Sequence, residues 1–73
     1  MDNALLSERI QIERKQFFFD LKENNGGRFL RITEDVGGRR DTVIIPSTGL
    51  EIFREALDHM IEAEKKATER ADT

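Results

Sequence analysis

The feature that most constrains this chain is a change of hydrophobic period at Pro46. Upstream of it apolar residues recur every second position: Ile10 and Ile12; Phe17, Phe19 and Leu21; Leu30 and Ile32; Val43 and Ile45. Side chains alternate between faces only in an extended strand, so this period marks half-buried strands. Two Gly-Gly-Arg triplets, at residues 26–28 and 37–39, punctuate the run, because diglycine accepts the positive φ of a tight turn. The pattern predicts four antiparallel strands near 7–14, 16–23, 28–35 and 40–46, joined as a meander. Asn24-Asn25-Gly26-Gly27 suits a tight hairpin. The break near Lys15 has no glycine to mark it.

After Pro46 the period becomes 3.6. Thr48-x-x-Glu51 has the spacing of a capping box, and a helix is predicted from about 48 to 67. Leu50, Phe53, Leu57, Met60 and Ile61 fall within an arc of about 100°, the width of a face that lies on a core. A smaller stripe, Ile52, Ala56, His59 and Ala63, runs roughly opposite. It is either a solvated face or the contact with a second subunit. Twenty residues of helix reach ~30 Å, whereas four strands span only ~19 Å, so a helix crossing this sheet overhangs it. Residues 62–73 lack a large apolar side chain and are expected to fray.

The expected class is therefore α+β: a four-stranded antiparallel meander crossed by one C-terminal helix. Seventy-three residues make one domain, and a chain of that size buries only ~60% of the surface its unfolded form exposes. A core this small rarely supplies more than ~3–5 kcal/mol. There is no cysteine and a single histidine, so disulfide and zinc staples are excluded, and a partner chain becomes the leading source of the missing stability. No basic start followed by an apolar run is readable at the N-terminus, and no window resembles a membrane span. A cytoplasmic, nucleoid-accessible location is expected.

Net charge is −3, which disfavours a simple polyanion binder, but the charge is segregated. Residues 9–31 hold six basic groups against three acidic ones, whereas residues 47–73 hold four against seven. Alternation puts Phe18, Asp20, Lys22, Phe29 and Arg31 on the face opposite Phe17, Phe19, Leu21, Leu30 and Ile32. Two aromatics among basic groups are the parts of a single-strand binding platform, rings for bases and cations for phosphates. A run of three Phe on a strand is, however, more often buried on both sides by dimer packing than used as such a platform. Neither Gly-Gly pair leads into the Gly-Lys-Ser/Thr of a phosphate loop. His59 with Glu55 and Glu62 sketches a metal set, but one histidine is read instead as solvated or at an interface. No catalytic residue, metal or cofactor is expected, and no small-molecule substrate.

Residues Ile12–Ile32 resemble a PUR repeat, the unit of the purine-rich-element binding proteins of the Pur-alpha and Pur-beta family. Asp20-Leu21-Lys22-Glu23-Asn24, then Gly27-Arg28-Phe29-Leu30-Arg31-Ile32, is similar to the family's signature. Gly49-Leu50, Phe53-Arg54 and Ala56-Leu57 resemble the start of its helix. The resemblance implies a ββββα repeat with a Whirly-like fold over residues 1–73, two copies of which interlock as a homodimer in single-repeat, bacterial-type members. It further implies a non-enzymatic regulator of transcription or translation that binds purine-rich single-stranded DNA or RNA. Lys22, Asn24, Arg28 and Phe29 are the implied primary contacts, with Phe29 stacking on bases; Phe18, Lys15 and Arg31 are weaker candidates. Relatives often carry a basic residue where Gly26 stands here, and Arg39-Arg40 sits where some have a longer β3–β4 loop. The competing reading is a homodimeric protein-interaction module without nucleic-acid function.

Overall fold

The computed structural model describes residues 4–71. Four antiparallel strands, β1 (Ala4–Ile12), β2 (Lys15–Asn24), β3 (Gly27–Val36) and β4 (Arg39–Pro46), form one sheet in the order β1-β2-β3-β4. A 3-10 turn at Ser47–Gly49 leads into the helix α1 (Leu50–Ala71). The ββββα order and the meander match the expectation from periodicity. Gly37 and Gly38 carry φ of +60° and +90°, the two positive values that a type I′ hairpin requires. The β1–β2 turn achieves its reversal without glycine: Glu13 sits at φ +55°, and its carbonyl accepts a hydrogen bond from Gln11 Nε2 at 3.2 Å.

The register assigns every side chain to a face. Lys22 lies opposite Phe29, which lies opposite Pro46; Asp20 lies opposite Arg31, which lies opposite Ile44; Phe18 lies opposite Thr33, which lies opposite Thr42. Directly opposed residues share a face, so these belong together with Ser7 and Arg9 from β1. The other face carries Leu6, Ile10, Ile12, Phe17, Phe19, Leu21, Leu30, Ile32, Val36, Val43 and Ile45. All four strands contribute apolar residues to it, interrupted by Glu8 opposite Phe19 and by Glu34 between Phe17 and Asp41.

That apolar face is not covered by α1. The helix was expected to cross the sheet; instead it departs from the end of β4 and packs mainly on the 3-10 turn. Residues 51–70 are all exposed, Phe53 at 40% and Met60 at 64% on the broad stripe and Ile52 at 69% on the narrow one. Pro46 and Leu50 are joined by the three-residue 3-10 turn alone. The chain accordingly stretches 54 Å in its longest dimension. No described hydrophobic residue is fully buried, so the chain by itself has no core.

Two finer expectations also change. Thr48 lies inside the 3-10 turn, which has no side-chain cap, and helical hydrogen bonding begins later, at Leu50. The polar segment after Glu62 does not fray at once but stays helical to Ala71. Glu, Ala, Lys and Arg are strong helix formers, so backbone propensity sustains the helix where apolar packing is absent. Thr68 also donates to the Glu64 carbonyl at 3.0 Å. Residues 72 and 73 lie outside the described part. Among the described residues no helix is long and apolar enough to cross a membrane.

Candidate functional site

The face opposite the apolar one carries Arg9, Lys22, Arg31 and Arg40 against Asp20 and Asp35, a net of +2 on a chain of net −3. It divides into three zones along the strands. At one end the β2–β3 hairpin closes with a turn at Asn25-Gly26. The Asn24 carboxamide oxygen accepts from the Gly26 N–H at 2.8 Å, an Asx-type brace that fixes the turn. An open depression of about 440 Å³ lies here, lined by Asn24, Gly26, Gly27, Arg28, Phe29, Ile44 and Pro46. Phe29 is half-buried, with Lys22 beside it on β2 and Pro46 on β4. Lys22 makes no ion pair among the described residues.

In the middle zone the side chains of Ser7, Asp20 and Arg31 form one row across β1, β2 and β3. Ser7 Oγ donates to Asp20 Oδ1 at 2.6 Å, and Arg31 Nη2 lies 3.6 Å from Asp20 Oδ2. Toward the β3–β4 turn, Arg40 Nε donates to Asp35 Oδ2 at 3.0 Å, while Asp35 Oδ1 accepts from the Gly38 N–H at 3.0 Å. Held this way, the Arg40 guanidinium sits 5.6 Å from the centroid of the Phe18 ring. That geometry is a cation–π contact, and it gives the second aromatic of this face a charged cap.

Five of the seven residues singled out in the sequence, Phe18, Lys22, Asn24, Phe29 and Arg31, are therefore on one face, and two are not. Arg28 opposes Glu23 on the apolar side, with a 3.4 Å ion pair between them. It still lines the depression, because the faces meet at the hairpin end. Both partners are more than half exposed, so the pair is a weak, screened one. Lys15 is at the far end of β2, seven residues from Lys22 or ~23 Å along the strand. It pairs with Glu34 at 3.1 Å and borders an apolar hollow of about 580 Å³ with Ile12, Phe17 and Val36. It does not join the depression.

Three contributors were not picked out in the sequence. Ile44 and Pro46 flank Phe29 from β4, and Ser7 anchors Asp20 from β1. The signal for Ile44 was present: in Val43-Ile44-Ile45 an apolar residue interrupts the alternation and must stand on the polar face. Ser7 carried no signal, since its partner is thirteen residues away and set by register alone.

Over residues 1–73 the sequence matches the family described as PurA ssDNA and RNA-binding protein. It is 41% identical over 64 residues to "Transcription factor Pur-alpha 1" of Arabidopsis thaliana, covering 88% of this chain and 22% of that protein. It is 39% identical over 66 residues to human "Transcriptional activator protein Pur-alpha", covering 81% and 20%. To human "Transcriptional regulator protein Pur-beta" it is 38% identical over 74 residues, covering 81% and 24%. The chain spans about a fifth to a quarter of the length of these relatives. The family is one of nucleic-acid-binding regulators and not of enzymes.

Proposed function

Because the chain belongs to the family of PurA ssDNA and RNA-binding proteins, we propose that it binds purine-rich single-stranded DNA or RNA on the polar face of its sheet and regulates transcription or translation. One arrangement carries the reading: Phe29 at the braced end of the β2–β3 hairpin, beside an unpaired Lys22. Any base offers a π-face to a ring, and stacking on one is worth ~1–3 kcal/mol. Lys22 supplies a charge for the adjoining phosphate. With one oxygen committed to the turn, Asn24 keeps its amide N–H groups to donate to a base or phosphate. Arg28 adds a cation at the rim once phosphate displaces Glu23. A duplex hides its base faces within the stack, so single strands are favoured.

The functional unit under this proposal is a homodimer made of two such repeats. The support is physical: a sheet with one predominantly apolar face, and a helix with Leu50, Phe53, Leu57, Met60 and Ile61 in one stripe, with no hydrophobic side chain fully buried among the described residues. Fully burying one such side chain stabilises by ~1.5–3 kcal/mol. A helix from each copy laid on the other's sheet supplies the missing core and leaves both polar faces outward. The Ile52, Ala56, His59 and Ala63 stripe then meets the remainder of the partner.

Fluorescence polarisation with a single-stranded GGN-repeat oligonucleotide, a pyrimidine strand and a duplex tests the proposal. The purine strand is expected to bind most tightly and the duplex least. Binding to none of them at low salt would favour the protein-interaction reading instead.

A further inference from the structure

A carboxylate in the middle of a face that binds a polyanion repels phosphate, yet Asp20 stands there. It is not a loose side chain. Ser7 Oγ donates to its Oδ1 at 2.6 Å, and Arg31 Nη2 stands 3.6 Å from its Oδ2, with the Asp20 side chain 21% exposed and Arg31 40%. Arg31 Nε is shut off from solvent and has no hydrogen-bond partner among the described residues. The Nε edge of the guanidinium is thus turned away from solvent, while the side chain as a whole stays 40% exposed. Arg31 follows Phe29 by two residues on the same face, ~7 Å away along β3.

We propose that Ser7 and Asp20 are positioning residues that hold Arg31 as a reader of guanine. The inference rests on the single-strand reading above. Paired with Asp20, Arg31 draws phosphate more weakly than the unpaired Lys22, so its contribution lies less in charge than in the fixed geometry of its fork. That fork matches the O6 and N7 acceptors of guanine in a bidentate contact. Adenine presents an amino donor where guanine has O6, and pyrimidines have no N7. Each terminal nitrogen of Arg31 carries two hydrogens, so Nη2 can face Asp20 and a base together. Phe29 then accepts any base by stacking, and Arg31 selects the guanine beside it.

The test uses the full chain and a single-stranded purine oligonucleotide whose guanines are replaced in turn by inosine, 7-deazaguanine or adenine. Inosine keeps O6 and N7 and is expected to bind like guanine. Loss of N7, or exchange of O6 for an amino group, is expected to weaken binding at least about fivefold. Asp20→Asn is expected to hold or raise overall affinity, since it removes a negative charge, while bringing the guanine to 7-deazaguanine ratio toward one. Ser7→Ala shifts the ratio the same way by less, and Arg31→Lys abolishes it while keeping the salt dependence. Binding with a ratio unchanged in Asp20→Asn and Arg31→Lys overturns the inference alone. So does a preference for guanine over inosine with 7-deazaguanine tolerated, which indicates reading of the opposite base edge. No binding of any strand by the wild-type chain overturns the nucleic-acid reading as well.

Discussion

The two faces of this sheet are built from the same four strands and differ in what each leaves unfinished. On the apolar face eleven aliphatic and aromatic side chains lie side by side, none of them fully buried by the described residues. On the polar face most charges are already answered: Asp20 by Ser7 and Arg31, Asp35 by Arg40 and the Gly38 N–H. Among the described residues of this face Lys22 and Arg9 are left without an ion pair, and Lys22 stands next to a half-buried phenylalanine. One face calls for bulk apolar cover, which a second copy of α1 can supply. The other is a surface of fixed geometry, suited to a flexible strand with flat bases and regular charges.

Substitutions can break this contrast from either side. The largest effect is expected on the apolar side. Leu57→Asp puts a charge into the stripe proposed to cover the partner's sheet, and in the proposed two-fold dimer it counts twice. Sedimentation at tens of micromolar is expected to change from twice the chain mass to a single copy, with loss of a cooperative thermal transition. An unchanged dimer would show that α1 covers nothing through this face. On the polar side Lys22→Ala should leave the mass and the thermal transition alone and lower the slope of log affinity against log salt by ~0.7, the value of one phosphate contact on a single strand. A slope identical to wild type would assign Lys22 to the fold. The smallest effect is a gain. A Cβ at Gly26 would meet only Asn24 Oδ1, at 3.4 Å, and φ there is not positive, so Gly26→Lys fits without strain. One exposed charge contact is worth ~0.2–1 kcal/mol, and affinity for a purine strand is expected to rise about 1.5- to 5-fold. A fall would mean that this rim does not meet phosphate.

The strands were legible because alternation is a local property: Phe17, Phe19 and Leu21 on β2 and Leu30 and Ile32 on β3 mark one face, so Phe18, Lys22, Phe29 and Arg31 follow on the other. The same parity puts Lys15 with Phe17 and Arg28 with Leu30. Their separation from Phe29's face was therefore readable, but a motif runs along the chain while a face takes every second residue, and the Gly-Arg-Phe match grouped Arg28 with its neighbour. The β1–β2 turn was the hardest boundary, since Glu13 takes a positive φ that sequence usually signals with glycine. The course of α1 was not legible at all. Its broad stripe says that the helix covers a core, but not whose. Periodicity encodes which side of an element is buried, and the identity of the burying chain is a property of the assembly.

The central claim is that Phe29 and its braced hairpin form a base-stacking site on the polar face. It is tested most directly by the affinity of Phe29→Ala for a single-stranded GGN-repeat oligonucleotide, with circular dichroism and sedimentation as checks on fold and assembly. Removing one stacking ring, worth ~1–3 kcal/mol, should weaken binding by about 5- to 150-fold with both checks unchanged. Wild-type affinity in a folded Phe29→Ala protein would contradict the account.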